Sequence, residues 1–454
     1  MIPIWYADCS RWTDQRERTG TMKLRLGDLK RQGDQFVREC QYLAAVRVYV
    51  AVLRRSPEDY ETRLNLADAL AAHGATLAAG RVYMATADLC ITGGRPLIAL
   101  VACQALQRLG GSAAGQLTRL SVLYGRGSAR LATVGARLNA SSDDLQVDAR
   151  ELRRELSVQD LITQAVQVGG DLAAVGELPL KFAAIPLLSE LSPVTLVRVA
   201  RRARVHRLPA GAVVFREGDM GTGCYLLARG KVRIVRRGRE MATLSDGAVF
   251  GEMAVVSGSP RSATVVTVTE TDLFELGPDA LAAMGDDLSR IAPALDSLAR
   301  RRWISNMVQD NPMFQVFSEQ ERRQLLLRFE AMEVPRGTVL VEQGEQPRGL
   351  YILVCGEVAS VVHTGADAVP RIVERMGSGS MPGLESVMSG APAMTAMVAI
   401  TPVTVLFLSG RFFRRLAAAV PEVLQAMQGM GSDLTPGAER AQHGATREIS
   451  HACC

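Results

Sequence analysis

The chain has 454 residues, 48% of them hydrophobic and 22% charged, which gives room for about three domains with ordinary cores. Fifty-two Lys and Arg against 47 Asp and Glu leave a net charge of +5, too mild over this length to imply nucleic acid by itself. No stretch of about eighteen apolar residues occurs, the eight cysteines form no CxxC pair, and Asp8, Arg11 and Asp14 stand where a signal peptide needs its apolar region. A membrane span, a disulfide scaffold and secretion are therefore not expected, and the chain is placed in the cytoplasm.

Lys23, Lys30, Lys181 and Lys231 are the only lysines. Arginine in their stead, with abundant Ala and Gly, is the usage of a GC-rich bacterial genome. Residues 1–22 carry mixed charge without a period and read as a flexible N-terminus, with Met22 as an alternative start. From 23 to 125 the chain repeats itself. Leu29, Gly33, Phe36, Ala45 and Tyr49 are answered, at one constant offset, by Arg63, Ala67, Leu70, Ala79 and Tyr83. A weaker third unit runs from 94 to 125 through Leu97, Leu100, Val101, Ala113 and Leu117. Small residues at 33, 45, 67 and 79 let paired helices approach, and the large ones fill between them. This spacing resembles the tetratricopeptide repeat, a helix-turn-helix unit with a period of about 34 residues. The resemblance implies a concave face that takes a peptide from a protein partner; a helical spacer is the plainer alternative.

Residues 126–180 read as a helical connector, punctuated by Gly125, Gly127, Ser141, Ser142 and Gly169-Gly170, with one amphipathic helix over Leu145–Val168. The basic run at Arg153-Arg154 reads as a solvated helix face. Leading helices are expected over 185–202. Short β-rich segments then follow at Val205–Leu208, Ala212–Phe215, Cys224–Leu227, Lys231–Val235, Glu240–Leu244 and Val265–Leu276. Glycine turns separate them, which indicates a β-sandwich or barrel of jelly-roll type.

Inside this β-rich stretch, Phe250 to Val265 reads FGEMAVVSGSPRSATV. A Gly at the head of a short helix leaves free N–H groups for an anion, and an Arg can add two parallel charge-assisted bonds to it. An ionised Glu accepts only, which suits a sugar hydroxyl. The stretch resembles the phosphate-binding cassette of the cyclic-nucleotide-binding domain family, found in regulatory subunits of cyclic-AMP-dependent protein kinase and in the bacterial catabolite activator protein. That resemblance implies that Gly251 and Glu252 hold the ribose 2′-hydroxyl and that Arg261, Ser262 and Ala263 hold the cyclic phosphate. Met253 and Ala254 complete the expected ligand-binding set. It further implies a hinge helix within 278–309, with Trp303 as a candidate lid over the base; packing at an interdomain seam is the other reading of that residue.

The second half copies the first. Pro335, Gly337, Gly344, Tyr351 and Gly356 repeat Pro209, Gly211, Gly218, Tyr225 and Gly230 at one constant offset, and from Gly383 and Pro392 onward that offset is larger by six. The difference is an insertion in a hairpin near His363 to Arg371. At the aligned positions Leu384 replaces Glu252, Ala393 replaces Arg261 and Met394 replaces Ser262, while Glu385 comes one residue late, about 100° round a helix. This copy is expected to keep the fold and to bind no cyclic nucleotide.

The expected fold is thus a multidomain α+β chain. An N-terminal α-helical repeat stack is followed by two β jelly-roll domains of cyclic-nucleotide-binding type with flanking helices. Their expected bounds are 181–305 for the domain with the intact cassette and 306–428 for the degenerate one, with 429–454 a disordered tail. That tail has no room for a winged helix, so no DNA-binding half is expected. The histidines at 73, 206, 363, 443 and 451 are scattered, and no P-loop, dinucleotide fingerprint or kinase signature occurs. The expected protein is a non-enzyme without a metal, a cytoplasmic adaptor that answers to cyclic AMP in preference to cyclic GMP and passes the signal to a protein partner. A homodimer is compatible with this. The competing readings are a ligand-independent scaffold and a kinase-type regulatory subunit.

Overall fold

In the computed structural model the described residues are 23–432, apart from 133–134, 139–142, 153–155, 174, 177, 259 and 363–369. The N-terminal segment, the C-terminal tail, the Arg153-Arg154 pair and most of the inserted hairpin lie outside them. The chain divides into two compact units. The first takes the chain up to Arg216, with Thr222–Gly251 and Ala263–Pro293; the second takes Glu217–Gly221, Glu252–Ser262 and everything from Ala294 onward.

Six helices open the first unit as three hairpins: α1 (Leu26–Arg38) with α2 (Tyr42–Arg55), α3 (Tyr60–Ala72) with α4 (Thr76–Thr92), and α5 (Pro96–Arg108) with α6 (Ala114–Tyr124). The sequence repeat has a physical signature. The Tyr49 hydroxyl donates to Asp34 at 2.7 Å, and the Tyr83 hydroxyl donates to Asp68, so donor and acceptor both advance by one repeat. Gly33 is required by the first of these tyrosines, since a Cβ there would lie 2.4 Å from the Tyr49 ring. In the third hairpin Leu117 stands where this tyrosine would fall, and the unit closes on buried Leu97, Leu100, Val101, Ala113 and Leu117 instead.

The connector departs from expectation. Its helix α7 spans Val158–Gly170 rather than beginning at Leu145, because the Ser157 side chain accepts from the Asp160 N–H and caps a later start. The stretch before it supplies strand β3 (Gln146–Asp148), paired antiparallel with β1 (Lys23–Arg25) and burying Val147. Tertiary pairing overrides the helical period there. Strands β2 (Leu131–Ala132) and β4 (Phe182–Ala183) add a short parallel ladder. Helix α7 packs on α2, α3 and α4, where Gly169 allows close approach to Val82 of α4 and Leu66 of α3. Arg63, fully buried in α3, fixes it by donating to the carbonyl oxygens of Gly169 and of Asp171, the latter at 2.7 Å.

After α8 (Pro193–Arg202) come β5 (Arg204–Leu208), β6 (Val213–Phe215), β7 (Cys224–Arg229), β8 (Lys231–Arg236), β9 (Arg239–Ser245), β10 (Val249–Phe250), β11 (Thr264–Thr267) and β12 (Thr271–Leu276). They form two four-stranded antiparallel sheets in the orders β10-β7-β12-β5 and β6-β11-β8-β9, a jelly roll around Leu227, Val232, Phe250, Val265 and Leu273. The single run foreseen over Val265–Leu276 is two strands in different sheets. At the break, the buried Thr267 hydroxyl donates to the Pro209 carbonyl at 2.6 Å, which holds the chain where it changes sheet.

This barrel docks on the helical stack through polar groups that are mostly buried. Asp272, fully buried on β12, faces Arg207 at 2.7 Å and Arg229 at 2.8 Å. Arg229 also donates to Asn65 of α3 at 2.7 Å, and Arg207 pairs with Asp68 of the same helix. From α5, Gln104 donates to the Ala203 carbonyl at 2.7 Å and Arg108 to that of Val205 at 2.9 Å. Helices α3 and α5 are therefore bonded to the chain's own barrel.

In the same unit, Asp287 accepts from the Ser192 N–H at 2.9 Å and pairs with Arg126 at 3.1 Å. The Ser192 N–H above all, with Arg126 in support, holds its carboxyl down at a pKa of about 2. The native value lies below the ordinary carboxylate value of about 3.9, so the stabilisation is complete above that pH and is lost as pH falls through about 2. Unfolding of the parent chain and an Asp287→Ala variant is expected to differ at neutral pH, with the gap closing between about pH 4 and pH 2. A gap independent of pH would show that the carboxylate charge is not what matters.

The second unit repeats the architecture. Past α12 (Pro312–Gln315) and α13 (Glu319–Leu326), strands β13 (Glu330–Val334), β15 (Gly349–Cys355) and β19 (Val403–Ser409) make one sheet. Strands β14 (Val339–Val341), β16 (Val358–Val362), β17 (Arg371–Met376) and β18 (Ala396–Ala399) make the other. Helices α15 (Gly410–Ala419) and α16 (Pro421–Ser432) follow.

Candidate functional site

The cassette begins where β10 ends. Gly251 takes φ of 80°, a left-handed turn that glycine adopts without penalty, and sends the chain into the short helix α9 (Glu252–Ser257). Glu252, Met253 and Ala254 form its first turn. The segment then returns through Pro260 to Arg261 and Ser262, and Ala263, also buried, leads into β11. The two arms are in contact, for the Ser262 hydroxyl lies 3.4 Å from the Met253 sulfur. Each of those residues is the direct neighbour of one of the two charged groups expected to grip a ligand.

Both charged groups are buried, Glu252 completely and Arg261 to 6% exposure. Backbone clamps fix the arginine: the Gly218 N–H donates to the Arg261 carbonyl at 2.8 Å, and the Arg261 N–H donates to the Asp219 carbonyl at 2.7 Å. Glu252 is held from the helix α11 (Leu288–Asp310), where Arg302 donates to its Oε2 at 2.7 Å. The other oxygen, Oε1, is buried and has no hydrogen-bond partner among the described residues. A buried acceptor without a donor costs about 1–3 kcal/mol, and a ligand hydroxyl would remove that cost. The donor set fits a ribose phosphate, an acceptor-only carboxylate for a hydroxyl and a guanidinium for a phosphate. Arg302 was not foreseen from the sequence, since a basic run on a helix has no mark that distinguishes one arginine from its neighbours.

Trp303 is 7% exposed. It is buried in the core of the second unit with Ala299, Met307, Phe314 and Phe413, a cluster against which Met253 and Val256 of α9 also pack. An indole beside apolar positions 299 and 307 follows the helical period and belongs to packing.

The second cassette has the same backbone and a different chemistry. The Gly344 N–H donates to the Ala393 carbonyl at 2.7 Å, and the Ala393 N–H donates to the Glu345 carbonyl at 2.8 Å, reproducing the clamps on Arg261. This places Ala393 at the arginine's position independently of any sequence alignment. Leu384 opens the helix α14 (Leu384–Ser389) where Glu252 opens α9, and it packs on the core. Glu385 is exposed, and Met394 is 86% exposed. At these positions no cation or buried carboxylate remains to hold a phosphate or a ribose. Among the described residues no group of three or more His, Cys, Asp and Glu side chains gathers into a metal site, and no helix is long and apolar enough to cross a membrane.

The chain thus holds two jelly rolls, one with a cassette carrying a buried Arg and Glu. Residues 205–287 and 331–419 match the cyclic nucleotide-binding domain, so the chain carries two domains of that family. It is similar to a cAMP-dependent protein kinase regulatory subunit of Pyricularia oryzae, 25% identical over 222 residues, covering 46% of this chain and 54% of the relative. A cyclic nucleotide-gated potassium channel of Mesorhizobium japonicum is 42% identical over 94 residues, 21% of this chain and 26% of the channel. The chain thus spans between about a quarter and about half of these relatives. Among solved structures, the regulatory domain of Toxoplasma gondii PKA with cAMP matches at 24% identity and a TM-score of 0.26, covering 54% of this chain and 92% of that one.

Proposed function

We propose that the chain is a cytoplasmic, non-enzymatic regulatory protein that binds one cyclic nucleotide in its first cassette and converts binding into altered contact with a protein partner. The observation that carries this reading is the buried Glu252, with one oxygen on Arg302 and the other without a donor among the described residues, set in the same folded-back cassette as the buried Arg261. In this reading Gly251 and Glu252 take the ribose hydroxyl, and Arg261, Ser262 and Ala263 take the phosphate. Met253 and Ala254 shape the turn between them. Cyclic AMP is favoured over cyclic GMP, supported by the cAMP-dependent regulatory subunits among the relatives.

Signal transfer has a physical route. A ligand shifts an equilibrium only through its differential affinity for the two states. Glu252 shares its carboxylate between the ligand side and Arg302, so filling Oε1 polarises and realigns the group that holds α11. The regular spacing of the tyrosine–aspartate pairs supports reading the stack as a tetratricopeptide-type platform. Its helices α3 and α5 being bonded to the barrel means that a partner engages the stack elsewhere, or there after the barrel has left it.

Calorimetric titration of the full chain with cyclic AMP and cyclic GMP tests the reading. Saturation at one nucleotide per chain, tighter for cyclic AMP, is expected, because Leu384, Ala393 and Met394 leave the second barrel without a grip. Two equivalent sites would contradict the silent second cassette. No heat with either nucleotide would leave both barrels as plain interaction modules.

A further inference from the structure

We infer that Gly221 is a positioning residue for Arg261, kept without a side chain so that the guanidinium can lie where the phosphate needs it. The inference rests on the reading that Arg261 holds the ligand's phosphate.

Residues 217–221 form the loop that the two backbone bonds of Gly218 and Asp219 clamp to Arg261. Just beyond that clamp, the guanidinium folds over the Gly221 backbone. A Cβ built on Gly221 would stand 2.2 Å from Arg261 Nε, 2.3 Å from Cζ and 2.5 Å from Nη2. No neighbour tolerates such approach, so one of the two groups must move. The loop is tied down by its backbone bonds, whereas the guanidinium sits at the end of a side chain with four rotatable bonds. The guanidinium therefore yields. The loop's own conformation does not call for glycine here, for the φ of Gly221 lies outside the left-handed region, unlike that of Gly218 at 89°.

The second barrel supplies an internal control. The same offset that carries Gly218 to Gly344 and Tyr225 to Tyr351 carries Gly221 to Pro347. There the guanidinium is gone, since Ala393 occupies the arginine's clamped position. Bulk is present at this loop position where the arginine is absent, and is excluded where the arginine is present. A glycine kept only for the loop's own conformation would not follow the arginine in this way.

The test is a cycle of four full-length chains titrated with cyclic AMP: the parent, Gly221→Ala, Arg261→Ala and the double variant. Gly221→Ala is expected to lower affinity about tenfold or more, the loss that goes with one misplaced charge-assisted hydrogen bond. In the Arg261→Ala background the same change is expected to alter affinity less than about twofold, because the group it displaces is already gone. A loop merely weakened by the new methyl would lose the same factor in both backgrounds, and that result would overturn the inference. So would a Gly221→Ala chain that binds like the parent. Should Gly221→Ala unfold the ligand-free chain, its thermal midpoint is expected to recover when Arg261→Ala is added; unfolding in both backgrounds overturns the inference. A parent chain that binds no cyclic nucleotide overturns the reading of the site as a whole, and this inference with it.

Discussion

Replacing Arg261 with alanine is expected to weaken cyclic-nucleotide binding by about tenfold to several hundredfold. The guanidinium is nearly enclosed, so solvent screens its bonds little, and each charge-assisted bond is worth about 1.5–3 kcal/mol. The remaining Ser262 hydroxyl and backbone N–H groups cannot replace a cation against a buried phosphate. Loss of the fold is not expected. The second barrel already carries alanine at this place, with both backbone clamps intact at 2.7 and 2.8 Å, so the loop does not depend on the side chain. Ligand-free thermal unfolding of Arg261→Ala close to the parent, beside a weakened titration, is the expected pair of results. A variant that binds like the parent would remove Arg261 from the site.

The largest effect on stability is expected at Asp272. It is fully buried between Arg207 and Arg229, and those two arginines reach on to Asp68 and Asn65 of α3. Asp272→Ala leaves Arg229, itself 6% exposed, without its central counter-ion. Removing one partner of a buried ion pair costs about 3–5 kcal/mol, because the other charge stays desolvated. Glu319, paired with Arg323 on an exposed face of α13, gives the contrast: Glu319→Ala is expected to change stability by less than about 1 kcal/mol. Denaturant unfolding of the two variants measures this difference directly. Equal small effects would show that the barrel is not held to the stack through Asp272.

The sequence patterns behind these expectations differ in how far they reach. The helical stack was legible because its apolar residues recur on one face and Tyr49 returns one repeat later as Tyr83, both local properties of the chain. The β-strands were legible through their glycine turns. The connector was not: Leu145–Val168 carries a helical period, but residues 146–148 are claimed by pairing with 23–25, a contact between distant parts of the chain that no local pattern announces. The run over Val265–Leu276 likewise gives no sign of the sheet change at Thr267, which depends on the Pro209 carbonyl.

The site shows the same division. Gly251, Glu252 and Arg261 stand in one short ordered stretch, and the loss of their counterparts at 383–394 could be read by offset alone. Arg302 and Gly221 could not. The first acts through a bond to Glu252 from a helix far along the chain, and the second acts by having no side chain, which leaves no chemical mark in a sequence with 41 glycines. Nor did the repeat pattern disclose that α3 and α5 are bonded to the barrel, since Asn65, Asp68 and Gln104 look like ordinary surface residues until their partners are placed.

The grip of a carboxylate and a guanidinium on opposite ends of one small ligand is tested most directly by titrating the full chain with cyclic AMP beside its 2′-deoxy counterpart. The account predicts one tight site for cyclic AMP and at least about tenfold weaker binding of the deoxy compound, which cannot satisfy Glu252 Oε1. Equal affinity for the two, or no binding of either, would contradict it.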